Sequence, residues 1–367
     1  MKLECTVEKL KTTLEFVATT VSKQVVTPLL QNIYIEVGGH NALFRSTSID
    51  TSSEIRMPVK VIEDGKCLIH GETFTKLIQS IITQEKNITL SVEETTLIVS
   101  YGKNKHIIKL SPFEDFPHIP NISENTTSIT LPVEKCIEGI TSVSFAAAQS
   151  DLKPEIASVY VYSAENELVF VSTDSYRLAE KKIRLKQNYP LNILIPNKLI
   201  PDLLKLLKQF TGDVVLEFNK NTLLVKNENQ TIHLRLIDGV FPNYRQIIPT
   251  SNTTTVTTLK HDIQNLIRTL SLFTDRYNQV TLLMAPEEKG CKISTENGDV
   301  GASEQFLEAS IVGEPLTLSI NIKYLSDVLP YIFKESMVFE CTTIQRPIVV
   351  KSVSDGSFTY LIMPLSR

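Results

Sequence analysis

Apolar positions recur along this chain at two periods. Helical spacing runs through residues 7–23, where Leu10, Leu14, Val17, Ala18 and Val21 share one side. It returns in residues 71–83, 133–148, 197–209, 260–273 and 321–334. The fourth stretch is the clearest: Leu199, Ile200, Leu203, Leu204, Leu206, Leu207 and Phe210 form one face, with Lys198, Asp202, Lys205 and Lys208 in the gaps. Asn197 is placed to cap that helix, and Pro201 falls close enough to the first turn to be tolerated. Between the helices lie short, β-branched or alternating runs bounded by Gly, Asn, Asp or Pro, which predict strands.

The order of these elements repeats. The second helix of each group begins at Gly71, Pro196 and Asn321, two steps of 125 residues. Phe116-Pro117 and Phe241-Pro242, each closing a strand group, are also 125 apart. Two independent landmarks with one offset predict three copies of one domain, over residues 1–124, 125–251 and 252–367. Each copy reads as a strand, a helix, three strands, a helix and three strands. So few helices among so many strands predict an α+β fold, with two helices packed on antiparallel sheets in every copy.

Composition narrows the function. With 42% hydrophobic and 21% charged residues and a net charge of −4, the 367-residue chain reads as an ordinary globular protein with no overall basic excess. The six helical windows nevertheless carry 12 lysines or arginines against eight acids, leaving the remainder acidic. That is the sign a nucleic-acid-facing layer needs. A lone helix of this kind reads as a solvated surface; recurrence is what alters the reading. Five scattered cysteines form no C-x-x-C pair, so neither a disulfide framework nor a zinc site is indicated, and no cofactor is called for. No signal peptide or membrane-length apolar run is present, which points to the cytoplasm and to no membrane partner.

Seven strings in register carry a resemblance across the whole chain: TPLLQN at 27–32, EDFP at 114–117, FAAAQSDLKPEIA at 145–157, STDSYRLA at 172–179, DGVFPNYR at 238–245, NIKYLSDVL at 321–329 and YLIMPLSR at 360–367. On these the chain resembles bacterial sliding clamps, the beta subunit of DNA polymerase III. The resemblance implies three DNA-clamp domains per chain, assembled head-to-tail as a homodimer into a ring around duplex DNA, gripped through phosphates without regard to sequence. It implies DNA-facing roles for Lys9, Lys76, Lys135, Lys198, Lys205, Lys208, Lys260, Arg268 and Lys323, and for the loops with Lys23, Gln24, Gln149 and Lys153. Gln24 stands where many relatives carry arginine.

The same resemblance implies a groove for partner peptides built from Ile156, Thr173, Ser175, Tyr176, Arg177, Leu178, Pro242, Gln246, Ile247, Tyr324, Arg346, Met363, Pro364 and Leu365. Its expected occupants are the replicative polymerase alpha subunit, the clamp loader delta subunit and other clamp-binding repair and replication proteins. Some relatives have Gly-His at Ser175-Tyr176 and arginine at Gln246. Ring closure is assigned to the strand at 103–110 against 301–310, with His106 and Ile108 near Leu272 and Phe273, and Lys103 and Lys105 facing Glu296, Asp299 and Glu304.

Two other readings stay open at this point. An enzyme is suggested faintly by Ser172 or Ser175 near Asp174, but G-x-S-x-G and the P-loop pattern are missing, and no histidine lies in a recognisable partner motif. A three-domain scaffold binding peptides but no DNA explains the repeats and the groove equally well; the basic bias of the helices is what speaks against it.

Overall fold

A computed structural model describes residues 1–22, 28–82, 86–112, 116–117, 126–150, 152–353 and 355–365. Among these, the helices stand where the apolar spacing puts them, but each is shorter than the spacing suggests. They are α1 (Val7–Ala18), α2 (Gly71–Ser80), α3 (Val133–Ser144), α4 (Ile200–Leu207), α5 (Lys260–Leu270) and α6 (Ile322–Val328). Side chains cap three of the starts: Thr6 accepts from the Lys9 N–H at 3.4 Å, His70 Nδ1 from that of Thr73 at 3.4 Å, and Asn321 from that of Lys323 at 2.9 Å. Asn197 does not cap α4. It opens a 3-10 turn, Asn197–Leu199, and α4 begins at Ile200 with Pro201 in its first turn, where a missing N–H costs nothing. Pro330 likewise breaks the last helical window, converting its end into the 3-10 turn Leu329–Tyr331.

The chain forms two compact units, and the middle repeat contributes to both. Unit 1 (Met1–Ile137 and Lys198–Asp238) contains two antiparallel sheets. One has the order Lys60–Glu63, Lys2–Thr6, Asn87–Glu93, Thr96–Tyr101, Asn104–Lys109. The other runs Thr127–Pro132, Asp213–Phe218, Thr222–Lys226, Gln230–Arg235, Thr51–Pro58, Asn41–Thr47, Asn32–Gly38, Gly65–His70. Leu10, Leu14, Phe16 and Val17 of α1, Phe74 and Ile78 of α2, and Leu203, Leu206 and Leu207 of α4 are buried. The Phe16 ring lies 5.8 Å from that of Phe210.

Unit 2 (Glu138–Asn197 and Gly239–Arg367) repeats the plan. Its nine-stranded sheet has the order Asn192–Pro196, Ser158–Ala164, Glu167–Thr173, Arg177–Arg184, Asp355–Ile362, Ile348–Ser352, Ser336–Cys341, Thr254–Leu259, Ser310–Gly313. A four-stranded sheet follows: Gly301–Glu308, Gly290–Asn297, Gln279–Ala285, Leu316–Asn321. Gly139 lets α3 lie on the sheet, since a Cβ there would stand 2.3 Å from the Phe170 ring.

The strand count between the helices corrects the sequence reading. Four or five strands lie there, not three, because Gly65–His70, Asn192–Pro196 and Leu316–Asn321 each run directly into the second helix. In the first two the apolar residues are consecutive and buried on both faces, as with Cys67, Leu68 and Ile69, so no alternation reveals them, whereas Leu316, Leu318 and Ile320 do alternate with polar residues. Pairing supports the threefold repeat. The strand before each first helix pairs with the strand after each second helix, and the first strand after the first helix pairs with the one before the second.

Sheets also cross the repeat boundaries. Gln230–Arg235 of the middle repeat joins Thr51–Pro58 of the first, and Asp355–Ile362 of the last joins Arg177–Arg184 of the middle. Lys181 sits at the second of these junctions with its side chain 5% exposed, its Nζ 2.9 Å from Glu138 Oε1, 3.9 Å from Asp355 Oδ2, and donating to Ser357 Oγ at 2.8 Å. Lys181→Ala leaves those two carboxylates without their shared cation. The expected cost is about 3 kcal/mol, read as a lower urea midpoint; an unchanged midpoint contradicts the assignment.

Candidate functional site

The residues assigned to a groove from sequence all lie in unit 2, and their arrangement begins at a tight turn. Thr173 ends one strand and Arg177 opens the next. Asp174 Oδ1 accepts from the N–H groups of Tyr176 and Arg177, both at 2.9 Å, and the Thr173 hydroxyl donates to the Arg177 carbonyl at 2.6 Å. Ser175 is held at φ +78°, in the left-handed region. Tyr176, at the tip, is 60% exposed.

Arg177 is fixed on all sides. Its Nε meets Asp174 Oδ2 at 2.9 Å and its Nη1 meets Asp327 Oδ2 at 2.6 Å. The guanidinium lies 4.8 Å over the Tyr324 ring and 5.8 Å from that of Phe145. Burial works against its charge, but Asp327, Tyr360 and Asp174 more than compensate and raise its pKa. The chain end joins the same place. The Met363 N–H donates to the Tyr176 carbonyl at 2.8 Å and the Leu365 N–H to that of Ser319 at 2.8 Å, leaving Met363, Pro364 and Leu365 half-buried. Ala148 donates to the carbonyls of both Ile156 and Thr173, at 3.0 and 3.2 Å. Leu178 is buried beneath.

Thr173, Ser175, Tyr176, Arg177, Leu178, Ile156, Tyr324 and the tail are therefore brought together. Pro242, Gln246 and Ile247 are exposed on the segment that closes the middle repeat, and Arg346 is exposed on a turn where its N–H bonds the Thr343 carbonyl at 3.2 Å. Asp327, Phe145 and Ser319 were missed from sequence. Asp327 alone left a signal, standing three residues after Tyr324 on one helix face. Ser172, which faintly suggested an enzyme, is fully buried with its hydroxyl donated to the Val143 carbonyl, a structural role.

The basic candidates divide. Lys9, Lys135, Lys153, Lys205, Lys208, Arg268 and Lys323 are exposed, as is Gln149. Lys76 and Lys198 are exposed too, Lys76 bonding Glu72 at 2.6 Å on its own helix and Lys198 bonding Asp50 at 2.9 Å, while the half-buried Lys260 donates to the Ile332 carbonyl at 2.7 Å. Lys260 is thus a structural tie. Lys23 and Gln24 lie outside the described residues.

At the proposed closure, Asn104–Lys109 and Gly301–Glu308 are end strands of their sheets. Lys103 and Lys105 are exposed; His106 and Ile108 are half-buried on the core side, opposite Val99 and Leu97. His106 stacks on Tyr101 at 5.6 Å and shares a 3.0 Å hydrogen bond with its hydroxyl. Leu272 is 68% exposed, Phe273 is half-buried, and Glu304 bonds Lys292 at 3.1 Å. Ile107 and Phe306, both exposed on these strands, escaped the sequence reading.

Three copies of one α+β repeat, joined by sheets that run across the repeat boundaries, define a clamp-type fold. Comparison with known proteins agrees. Residues 1–120, 130–243 and 245–366 match the N-terminal, central and C-terminal domains of the DNA polymerase III beta subunit. The chain is 25% identical to the beta sliding clamp of Staphylococcus aureus over 355 residues, 94% of each chain, and 24% identical to that of Staphylococcus epidermidis over the same share. The solved DNA polymerase III subunit beta of Pseudomonas aeruginosa superposes with a TM-score of 0.94 at 22% identity, covering 100% of both chains. The Bacillus subtilis sliding clamp gives 0.93 at 24%, covering 100% of this chain and 99% of that one. The chain belongs to the DNA polymerase III beta subunit family, whose members are non-catalytic processivity subunits.

Ser175 marks the groove's strained point. Ser175→Gly relieves a left-handed serine and is expected to raise stability by up to ~1 kcal/mol, read as a higher melting temperature; a fall contradicts the strain.

Proposed function

We propose that two copies of this chain close head-to-tail into a ring of six domains that encircles duplex DNA in the cytoplasm and tethers the replicative polymerase through the groove. Domain boundaries near residues 124 and 251 suit this reading. The observation that carries it is the register of the two junctions inside the chain.

Strand-by-strand pairing equates positions across the repeats. Asn32, Ser158 and Gln279 correspond through their partners at the start of each second helix, and stepping outward equates Thr51, Arg177 and Gly301. From the other side, Thr6, Pro132 and Leu259 correspond, and stepping outward equates Asn104, Gln230 and Phe358. In these terms both internal junctions have one register: Thr231 opposite Glu54, and Thr359 opposite Glu180. A third junction in that register sets Lys105 of one copy opposite Glu304 of the other, and His106 opposite Ser303.

Other features agree with such a junction. His106 and Ile108 occupy the positions of Ile232 and Leu234, and of Tyr360 and Ile362, all four of which are buried at internal junctions. Leu272 occupies the position of Phe145, which stacks on Tyr331 at 4.6 Å across the second junction. Glu304 borders a polar hollow with Asp275 and Glu296, a destination for the Lys103 and Lys105 ammonium groups. The exposed Lys205, Lys208, Lys153 and Arg268 supply a sparse basic surface, enough for phosphate contact when retention is topological. The groove takes extended peptides of the polymerase alpha subunit, the clamp loader delta subunit and other clamp-binding proteins against its aromatic and methionine surface.

The test uses protein loaded by its cognate clamp loader onto nicked circular DNA. The wild type is expected to stay on the circle and leave once the circle is cut. Lys105→Glu places like charges opposite each other and abolishes retention, and adding Glu304→Lys restores it. Persistence on linear DNA, or retention by Lys105→Glu, contradicts the reading.

A further inference from the structure

We propose that Glu180 and Tyr244 are positioning residues for the peptide groove, holding the segment that carries Pro242, Gln246 and Ile247 in place relative to the strand that carries Arg177 and Leu178. The inference rests on the groove reading above and goes beyond it, because neither side chain belongs to the groove itself.

The strand Arg177–Arg184 opens with the groove residue Arg177 and three positions later presents Glu180, which is only 5% exposed. Its Oε2 accepts the hydroxyl of Tyr244, and Lys182 Nζ stands 3.6 Å from Oε1. A carboxylate so enclosed needs charge-assisted donors, which makes the tyrosine contact strong and directional. The contact extends into a chain. The hydroxyls of Tyr244 and Tyr162 are 2.7 Å apart, and Arg245 donates to Tyr162 at 3.0 Å with its guanidinium 5.6 Å over that ring. Burial and the Glu180 carboxylate push the Tyr244 phenol above its ordinary pKa, so its proton stays in the bond.

Rings complete the clasp. Tyr162 stacks on Tyr160 at 4.9 Å, Tyr160 on Phe241 at 4.8 Å, and Phe241 meets Tyr244 edge-on at 6.2 Å. Tyr244 opens the 3-10 turn Tyr244–Ile247, so two groove residues, Gln246 and Ile247, follow directly from the anchored side chain.

Comparison between repeats isolates the part that matters. Phe116, at the corner 125 residues earlier, also stacks on its sheet, 5.5 Å from Tyr34. Ile119 stands three positions after Phe116, where Tyr244 follows Phe241, and isoleucine has no hydroxyl to give. The glutamates at the positions of Glu180 serve their own sheets: Glu54 bonds Arg45 at 2.8 Å and Glu304 bonds Lys292 at 3.1 Å. Among the described residues, Glu180 is the one of the three that bonds a segment leading to the next repeat, and that segment carries residues of the proposed groove.

The experiment is a fluorescence-anisotropy titration of the full-length protein with a labelled peptide copying the C-terminal tail of the cognate replicative polymerase, paired with hydrogen exchange. Tyr244→Phe keeps the ring and removes the bond; it is expected to weaken binding about tenfold, as is Glu180→Ala, with the double variant no weaker than either. Glu180→Gln retains an acceptor and is expected to rescue binding to within about threefold of wild type. Amide exchange in Tyr244→Phe should rise within residues 239–248 and stay unchanged elsewhere. Wild-type affinity in both Tyr244→Phe and Glu180→Ala overturns the proposal, as does faster exchange throughout unit 2, which marks general loosening. Deleting residues 363–367 separates the two readings. If the deletion abolishes binding while Tyr244→Phe binds normally, only the positioning role falls; if the deletion itself binds normally, the groove reading falls.

Discussion

An unsatisfied strand edge is the constraint on which this structure depends. Each repeat ends in a strand whose outer N–H and C=O groups need a partner, and a buried backbone group left unpaired is costly. Twice the chain meets that need internally, with Gln230–Arg235 on Thr51–Pro58 and Asp355–Ile362 on Arg177–Arg184. The third pair of edges, Asn104–Lys109 and Gly301–Glu308, has no strand on its outer side among the described residues. One register found twice is what the proposed third junction would repeat. The sequence at that edge also differs in the direction expected of a contact between chains: Thr231 and Thr359 give way to Lys105, which the proposed junction would set opposite Glu304. A charge pair adds steering and specificity where covalent connection cannot.

The peptide groove follows from the same constraint. The strand that accepts the last repeat, Arg177–Arg184, carries Arg177 and Leu178 at its start, and the incoming strand leads straight into Met363 and Leu365. Joining the sheets therefore brings the residues of the proposed groove together from two repeats. Arg177, locked between Asp174 and Asp327 and roofed by Tyr324, ties that wall to α6. For the proposed ring the demand for basic contacts is weaker: a ring retains by topology, so the ion pairs of Lys198 with Asp50 and of Lys76 with Glu72 are compatible with it.

Much of this was legible in the sequence. The leucines around Lys205 and Lys208 announced a one-sided helix, and two landmarks at one spacing announced the repeats. What stayed hidden has physical causes. Strands buried on both faces, such as Gly65–His70, show no alternation. Helix ends were overrun because proline and 3-10 turns tighten the last residues without breaking the apolar spacing, as at Leu329–Tyr331. Distant partners leave no local trace: Lys198 and Lys260 looked solvated until Asp50 and the Ile332 carbonyl were found beside them. The groove residues came from resemblance, and Asp327, which holds Arg177 from 150 residues away in sequence, came from the fold.

Amide hydrogen exchange at the two outer strands tests the central claim most directly. At protein concentrations that hold the ring closed, the outward-pointing amides of Asn104–Lys109 and Gly301–Glu308 should exchange as slowly as those of the paired strands Gln230–Arg235 and Thr51–Pro58, and both should speed up together on dilution. Loop-like exchange in both outer strands at every concentration, with the internal junctions still protected, would contradict closure by a second copy.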